Sequence, residues 1–92
     1  MVIKIYKQDL KDNINSFLRS CGYAPHFDSY VRVLSGAGYP RYHLYIKEND
    51  EQYLLNLHID QKRPSYGKET AHSGEYEGKV VETEADRIVD FI

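Results

Sequence analysis

Histidine, arginine and tyrosine side chains recur at alternate positions within residues 30–60. In a β-strand, alternate side chains point to the same face of the sheet. Arginine guanidinium groups suit phosphate, and tyrosine rings on a sheet offer faces on which nucleobases stack. The pattern therefore favours an anionic ligand, a nucleic acid or a phosphate compound. The side chains expected to share this ligand-binding face are Tyr30, Arg32, Arg41, His43, Tyr45 and His58.

The histidines allow a different hypothesis, a metal centre. His43, His58 and Asp60 would share the face, and His72 could reach it from the segment that follows. Three such ligands leave one coordination position open, as catalytic zinc requires. A variant without metal would use His43 and His58 as acid and base on a phosphodiester, with the neighbouring arginines stabilising the developing charge. Both are alternatives to a binding function, which needs no cofactor.

A third interpretation involves no ligand at all. Residues 61–78 show no periodicity and contain three glycines, so we expect a long irregular loop. Such a loop could fold over the same face and pack Tyr66, His72 and Tyr76 against it. The histidines of the face would then be hydrogen-bonded residues without a ligand.

Three predicted strands must position these side chains. Residues 29–34, 41–47 and 52–60 alternate apolar with polar residues and are separated by turn-forming segments, which indicates an antiparallel meander. Residues 2–6 fit either an additional N-terminal strand or a lead-in to a helix.

The register of the meander decides which side chains share a face. A symmetrical second hairpin pairs Leu44 with Leu55 and Tyr42 with Leu57, and the first hairpin then places Val31 beside Leu44. A one-residue slip would turn every side chain of a strand over. The expectation is therefore that Val31, Leu44 and Leu57 point inward together, which directs the candidate ligand-binding side chains outward.

Apolar stripes predict a helix on each side of the meander. The first follows Asp9 and ends at Gly22, which supplies a positive φ angle, and the second is capped by Thr83. Cys21 completes the first stripe and is expected in the core. The fold class predicted is a single two-layer α+β domain over residues 1–92, with a three-stranded antiparallel meander, two helices on one face and the order α-β-β-β-α.

This element order resembles that of the double-stranded RNA-binding domain. That family places a lysine-rich start of its last helix on phosphates. Here the corresponding helix opens with the acidic run Glu82-Thr83-Glu84-Ala85-Asp86, which would repel phosphates. The resemblance is one of topology, and it does not imply binding to duplex RNA.

Composition sets the outer limits on function. The 92 residues suffice for one domain, and 41% hydrophobic with 28% charged content is ordinary for a globular protein. The net charge of −2 excludes a uniformly basic coat, and the single cysteine excludes an internal disulfide framework. Without an apolar run long enough for a membrane helix, we expect a cytoplasmic, non-enzymatic binding module whose partner is a nucleic acid or a protein.

Overall fold

The chain forms a five-stranded antiparallel sheet with two helices, in a computed structural model that describes residues 1–61 and 74–92. The strands lie in the spatial order β1-β5-β4-β3-β2. The α+β class is confirmed. Residues 2–6, for which the sequence left a strand or a lead-in to a helix open, form the edge strand β1, whereas the strand β2 at the opposite edge was not predicted. The elements are β1 (Val2–Tyr6), a 3-10 turn (Lys7–Asp9), α1 (Ile14–Ser20), β2 (Ala24–His26), β3 (Ser29–Val33), β4 (Arg41–Glu48), β5 (Gln52–Asp60) and α2 (Gly74–Val89).

The hydrophobic core lies between one face of the sheet, here the inner face, and both helices. Strict alternation in β5 directs Leu55 and Leu57 into it, and α2 contributes Ile88. Cys21 is also buried there, as predicted, and burial raises the pKa of its thiol to about 11. Among the described residues, neither helix has the length and apolar character needed to cross a membrane.

The second hairpin keeps the predicted parity with a shifted register. Leu44 lies opposite Leu57 rather than Leu55, and Tyr42 lies opposite Ile59. A shift of an even number of residues leaves each side chain on its face. The inner and outer faces of β4 and β5 are therefore as predicted.

The first hairpin differs from the prediction by one residue, which reverses β3. Tyr30 pairs with Leu44 and Val31 with His43, so Val31 points outward and Tyr30 points inward with Arg32. The predicted inward direction of Val31 was wrong. The reason is that polar partners on the helices satisfy the inner side chains of β3, and the Tyr30 hydroxyl donates to Asn15 Oδ1 on α1 at 2.9 Å.

Both helices begin elsewhere than predicted. Asn13, not Asp9, caps α1, with its Oδ1 accepting from the Ser16 amide at 2.8 Å. The second helix begins at Gly74, and Thr83 lies inside it, donating to the Lys79 carbonyl at 3.0 Å. The predicted 61–78 loop is therefore helical from Gly74 onward. Tyr66, His72 and the side chain of Tyr76 lie outside the described residues, as does the packing predicted for them.

Gly22 follows α1 with a φ of +98°, which confirms the predicted positive angle. A Cβ at this position would meet Arg32 Cδ at 3.1 Å. We expect Gly22→Ala to lower the free energy of unfolding by roughly 1–2 kcal/mol, because alanine resists a positive φ and the Arg32 side chain must move. Urea unfolding of Gly36→Ala is the control, since a Cβ there meets nothing within 4 Å. Equal losses in the two variants would contradict the prediction.

Candidate functional site

The outer face of the sheet is the face opposite the two helices. It carries the even-numbered residues of β1, β2 and β5 and the odd-numbered residues of β3 and β4. The buried side chains of both helices belong to the core on the inner face. Of the residues that the structure describes, no helix covers the outer face, which is therefore the candidate functional site.

Four of the six predicted ligand-binding residues lie on the outer face. They are Arg41, His43, Tyr45 and His58, and the two histidines face each other directly across β4 and β5 rather than diagonally. The other two, Tyr30 and Arg32, were predicted to lie with them and instead lie on the inner face. The structure thus divides the predicted surface between the two sides of the sheet.

Five rings form a continuous row on and beside the outer face, here called the ring row. His43 and Tyr45 stack with centroids 4.7 Å apart and planes inclined by 23°. His58 meets Tyr45 edge-on at 5.9 Å, and His26 meets His43 edge-on at 6.0 Å. Phe27 extends the row with its centroid 4.8 Å from that of His26. The row crosses the sheet from β5 to the turn between β2 and β3.

A chain of hydrogen bonds holds His43 in the middle of this row. Its Nε2 lies 2.8 Å from Ser29 Oγ, and its Nδ1 lies 3.0 Å from Asp60 Oδ2. Arg41 Nε donates to the same Asp60 oxygen at 3.1 Å, and the Ser29 hydroxyl lies 2.8 Å from the His26 carbonyl, to which it can donate. Both ring nitrogens are thus engaged, which fixes the orientation of the ring against which Tyr45 stacks.

Ser29, His43 and Asp60 have the hydrogen-bond order of a serine hydrolase triad. A nucleophile must reach a substrate carbonyl, and Ser29 is only 4% exposed. Both ring nitrogens of His43 are engaged by Ser29 and Asp60, so neither is directed at a phosphodiester as the acid–base hypothesis requires. The geometry therefore indicates that these hydrogen bonds position the His43 ring, and it disfavours the hydrolase alternative.

The metal hypothesis finds little support in the described geometry. Within the side chains that the structure describes, those of residues 1–61 and 78–92, no three His, Cys, Asp or Glu residues are placed to hold a metal ion. Asp60 is occupied by Arg41 and His43. The fourth ligand of that hypothesis, His72, lies outside the described residues.

The outer face carries excess positive charge. Lys4 and Lys47 both pair with Leu54 across neighbouring strands, so the two lysines flank one leucine on the outer face. Both lysines are exposed, and in the described part of the chain neither forms an ion pair. In this they differ from Arg41, which is paired with Asp60.

Arg32 instead belongs to a buried network around Glu84, a carboxylate that is 2% exposed. Arg32 donates to it through Nε and Nη2 at 3.0 and 2.8 Å, Arg87 donates through Nε and Nη2 at 2.9 Å each, and the Tyr23 hydroxyl donates at 2.7 Å. Burial raises the pKa of Glu84, but the hydrogen bonds from Arg87, Arg32 and Tyr23 outweigh it and lower the pKa to about 2. This network binds α2 to the sheet.

Sequence reasoning missed His26, Phe27, Ser29 and Glu84. Only Glu84 had a usable signal, because it lies between Val81 and Ile88 on the apolar stripe of α2, where a solvated side chain is not expected. A carboxylate on such a stripe must find cationic partners on the surface it packs against. Ser29 and Phe27 depend on the register of the short strand β2, which has no periodicity of its own.

No family model, curated protein or solved structure matches this chain. Its function is therefore inferred from the geometry of the site.

Proposed function

We propose that the chain is a non-enzymatic binding domain whose outer face takes single-stranded nucleic acid. The observation that carries the proposal is the ring row. It crosses a sheet face that no helix of the described residues covers, beside two lysines that form no ion pair with any of those residues. Proteins that bind single strands combine aromatic rings for the bases with cationic side chains for the backbone. Both parts are present on one face here.

The base-contacting part of the proposed site centres on Tyr45. Its side chain is 41% exposed, and its ring stacks on His43, which the hydrogen bonds to Ser29 and Asp60 hold in place. A ring fixed before binding loses little conformational entropy when a base contacts it. Each stacked base contributes roughly 1–3 kcal/mol to binding. Because Tyr45 and His58 are the exposed rings of the row on the sheet, they are the principal base contacts of the proposed site.

Charge complementarity supports an anionic strand despite the net charge of −2. Lys4 and Lys47, which form no ion pair with the residues that the structure describes, lie on the outer face, whereas the acidic residues of α2 belong to a helix on the inner side of the sheet. The described residues offer no helix on the outer face to enter the major groove of a duplex, and unstacked bases are the natural ligand of exposed rings. We therefore expect single strands to bind in preference to duplex.

The test is fluorescence anisotropy with labelled single-stranded RNA and DNA of about 12 nucleotides, within the usual site size. Tyr45→Ala is expected to weaken binding by about 5- to 150-fold, the equivalent of one stacked base. Lys47→Ala is expected to reduce the salt dependence, the slope of log K against log salt, by about one. Lys79→Ala is the matched control, because Lys79 is an exposed lysine on α2.

Two results would refute the proposal. One is absence of binding by the unaltered protein at low salt, and the other is an equal effect of Lys47→Ala and Lys79→Ala. Tyrosine is also a common anchor of protein interfaces, so light scattering is measured in parallel. A dimer that Tyr45→Ala dissociates, together with no nucleic-acid binding, would assign the outer face to self-association instead.

A further inference from the structure

Phe27 occupies an unusual position at the tip of the turn between β2 and β3. The pair His26–Ser29 closes this turn, leaving Phe27 and Asp28 as its central residues. Phe27 has a φ of +56° and is 95% exposed. It is the only non-glycine residue with a positive φ in the described part of the chain.

Both features are unfavourable for the folded protein. Glycine, asparagine or aspartate is the ordinary choice for a positive φ in a tight hairpin turn, and a bulky residue there is an outlier. The exposed ring recovers little by packing, since its one ring contact among the described residues is the edge-on contact with His26. Strained backbone conformations of this kind cluster at functional sites. The position of Phe27 therefore indicates that its ring takes part in binding.

We infer that Phe27 contacts the ligand directly and stacks on an unpaired base at the end of the ring row. This inference rests on the proposed function and extends its site beyond the sheet to the β2–β3 turn. Continuity supports it, because the rings of Phe27, His26 and His43 follow one another at 4.8 and 6.0 Å. The adjacent exposed carboxylate of Asp28 would repel a phosphate, so this turn takes a base rather than the backbone of the strand.

The test measures stability and affinity on the same variants. Phe27→Asn removes the ring and supplies a residue that tolerates the positive φ. It is expected to raise the Tm by roughly 4 °C or more while weakening single-strand binding at least about fivefold. Phe27→Tyr keeps the ring and should retain both the Tm and the affinity. Phe91→Ala, which removes a half-exposed ring outside the ring row, should leave the affinity unchanged.

The outcomes separate this inference from the proposed function. A lower Tm for Phe27→Asn would show that the ring stabilises the fold, and would overturn the inference. Unchanged affinity of Phe27→Asn beside weakened binding by Tyr45→Ala would overturn the inference and leave the proposed function standing. Absence of binding by the unaltered protein would refute both. A higher Tm together with weaker binding, reproduced by Phe27→Gly, would establish the ring as a ligand contact.

Discussion

Replacing Glu84 by glutamine is expected to lower the free energy of unfolding by about 3–5 kcal/mol, the usual cost of removing one partner from a buried ion network. The carboxylate is 2% exposed and accepts hydrogen bonds from Arg32, Arg87 and Tyr23. A glutamine side chain has no charge and directs an amide NH₂ group at guanidinium donors. The two arginines would then remain partly buried without a counter-charge.

Urea unfolding followed by circular dichroism measures this loss. Glu82→Gln is the matched control, since Glu82 is exposed on the same helix and its substitution should change the free energy of unfolding by less than about 0.5 kcal/mol. Arg32→Gln alone and with Glu84→Gln completes a double-mutant cycle, in which the coupling energy should exceed about 1 kcal/mol. A Glu84→Gln variant as stable as Glu82→Gln would show that the network contributes nothing.

The structure gives the basic residues of the sheet different tasks. Arg32 stabilises the fold through Glu84, and Arg41 holds the carboxylate that orients His43. Lys4 and Lys47, which have no ion partner among the described residues, are the cations that the proposed function assigns to a ligand. Substituting Arg32 would therefore test stability rather than binding, and the lysines and Tyr45 are the residues whose variants report on the proposed function.

The sequence predicted the α+β class and the parity of β4 and β5 because most inner-face positions of these two strands are apolar and most outer-face positions are polar. In β5, residues 53, 55, 57 and 59 are all apolar, which leaves one possible inner face. The stripe ending at Cys21 and Gly22 likewise located the end of the first helix. Local periodicity suffices where one face is wholly apolar.

The direction of β3 could not be obtained in this way. Its sequence, Ser-Tyr-Val-Arg-Val, presents valines to one face and an aromatic with an arginine to the other, and valine ordinarily marks the inner face. The inner position of Arg32 depends on Glu84, a residue 52 positions away, and no local pattern contains that information. Of the ring row, the sequence predicted that His43, Tyr45 and His58 share one face. It missed His26 and Phe27 for the same reason, since they join the row only through the pairing of β2 with β3.

Acid should destabilise the protein chiefly through Glu84. The pKa of Glu84 in the folded protein is about 2, below the ordinary value of 4.5, because the hydrogen bonds that it accepts outweigh the effect of burial. A carboxylate whose pKa is lower in the folded than in the unfolded protein contributes its full stabilisation at pH values above the unfolded-state pKa. For Glu84 this contribution is lost as the pH falls from 4.5 towards 2. The shift corresponds to about 3 kcal/mol. Urea unfolding of the unaltered protein should show a loss of stability of this size between pH 7 and pH 2. The loss should be smaller in Glu84→Gln and the same in Glu82→Gln. If Glu84→Gln loses stability with acid as steeply as the unaltered protein, other carboxylates cause the effect and the network is not its origin.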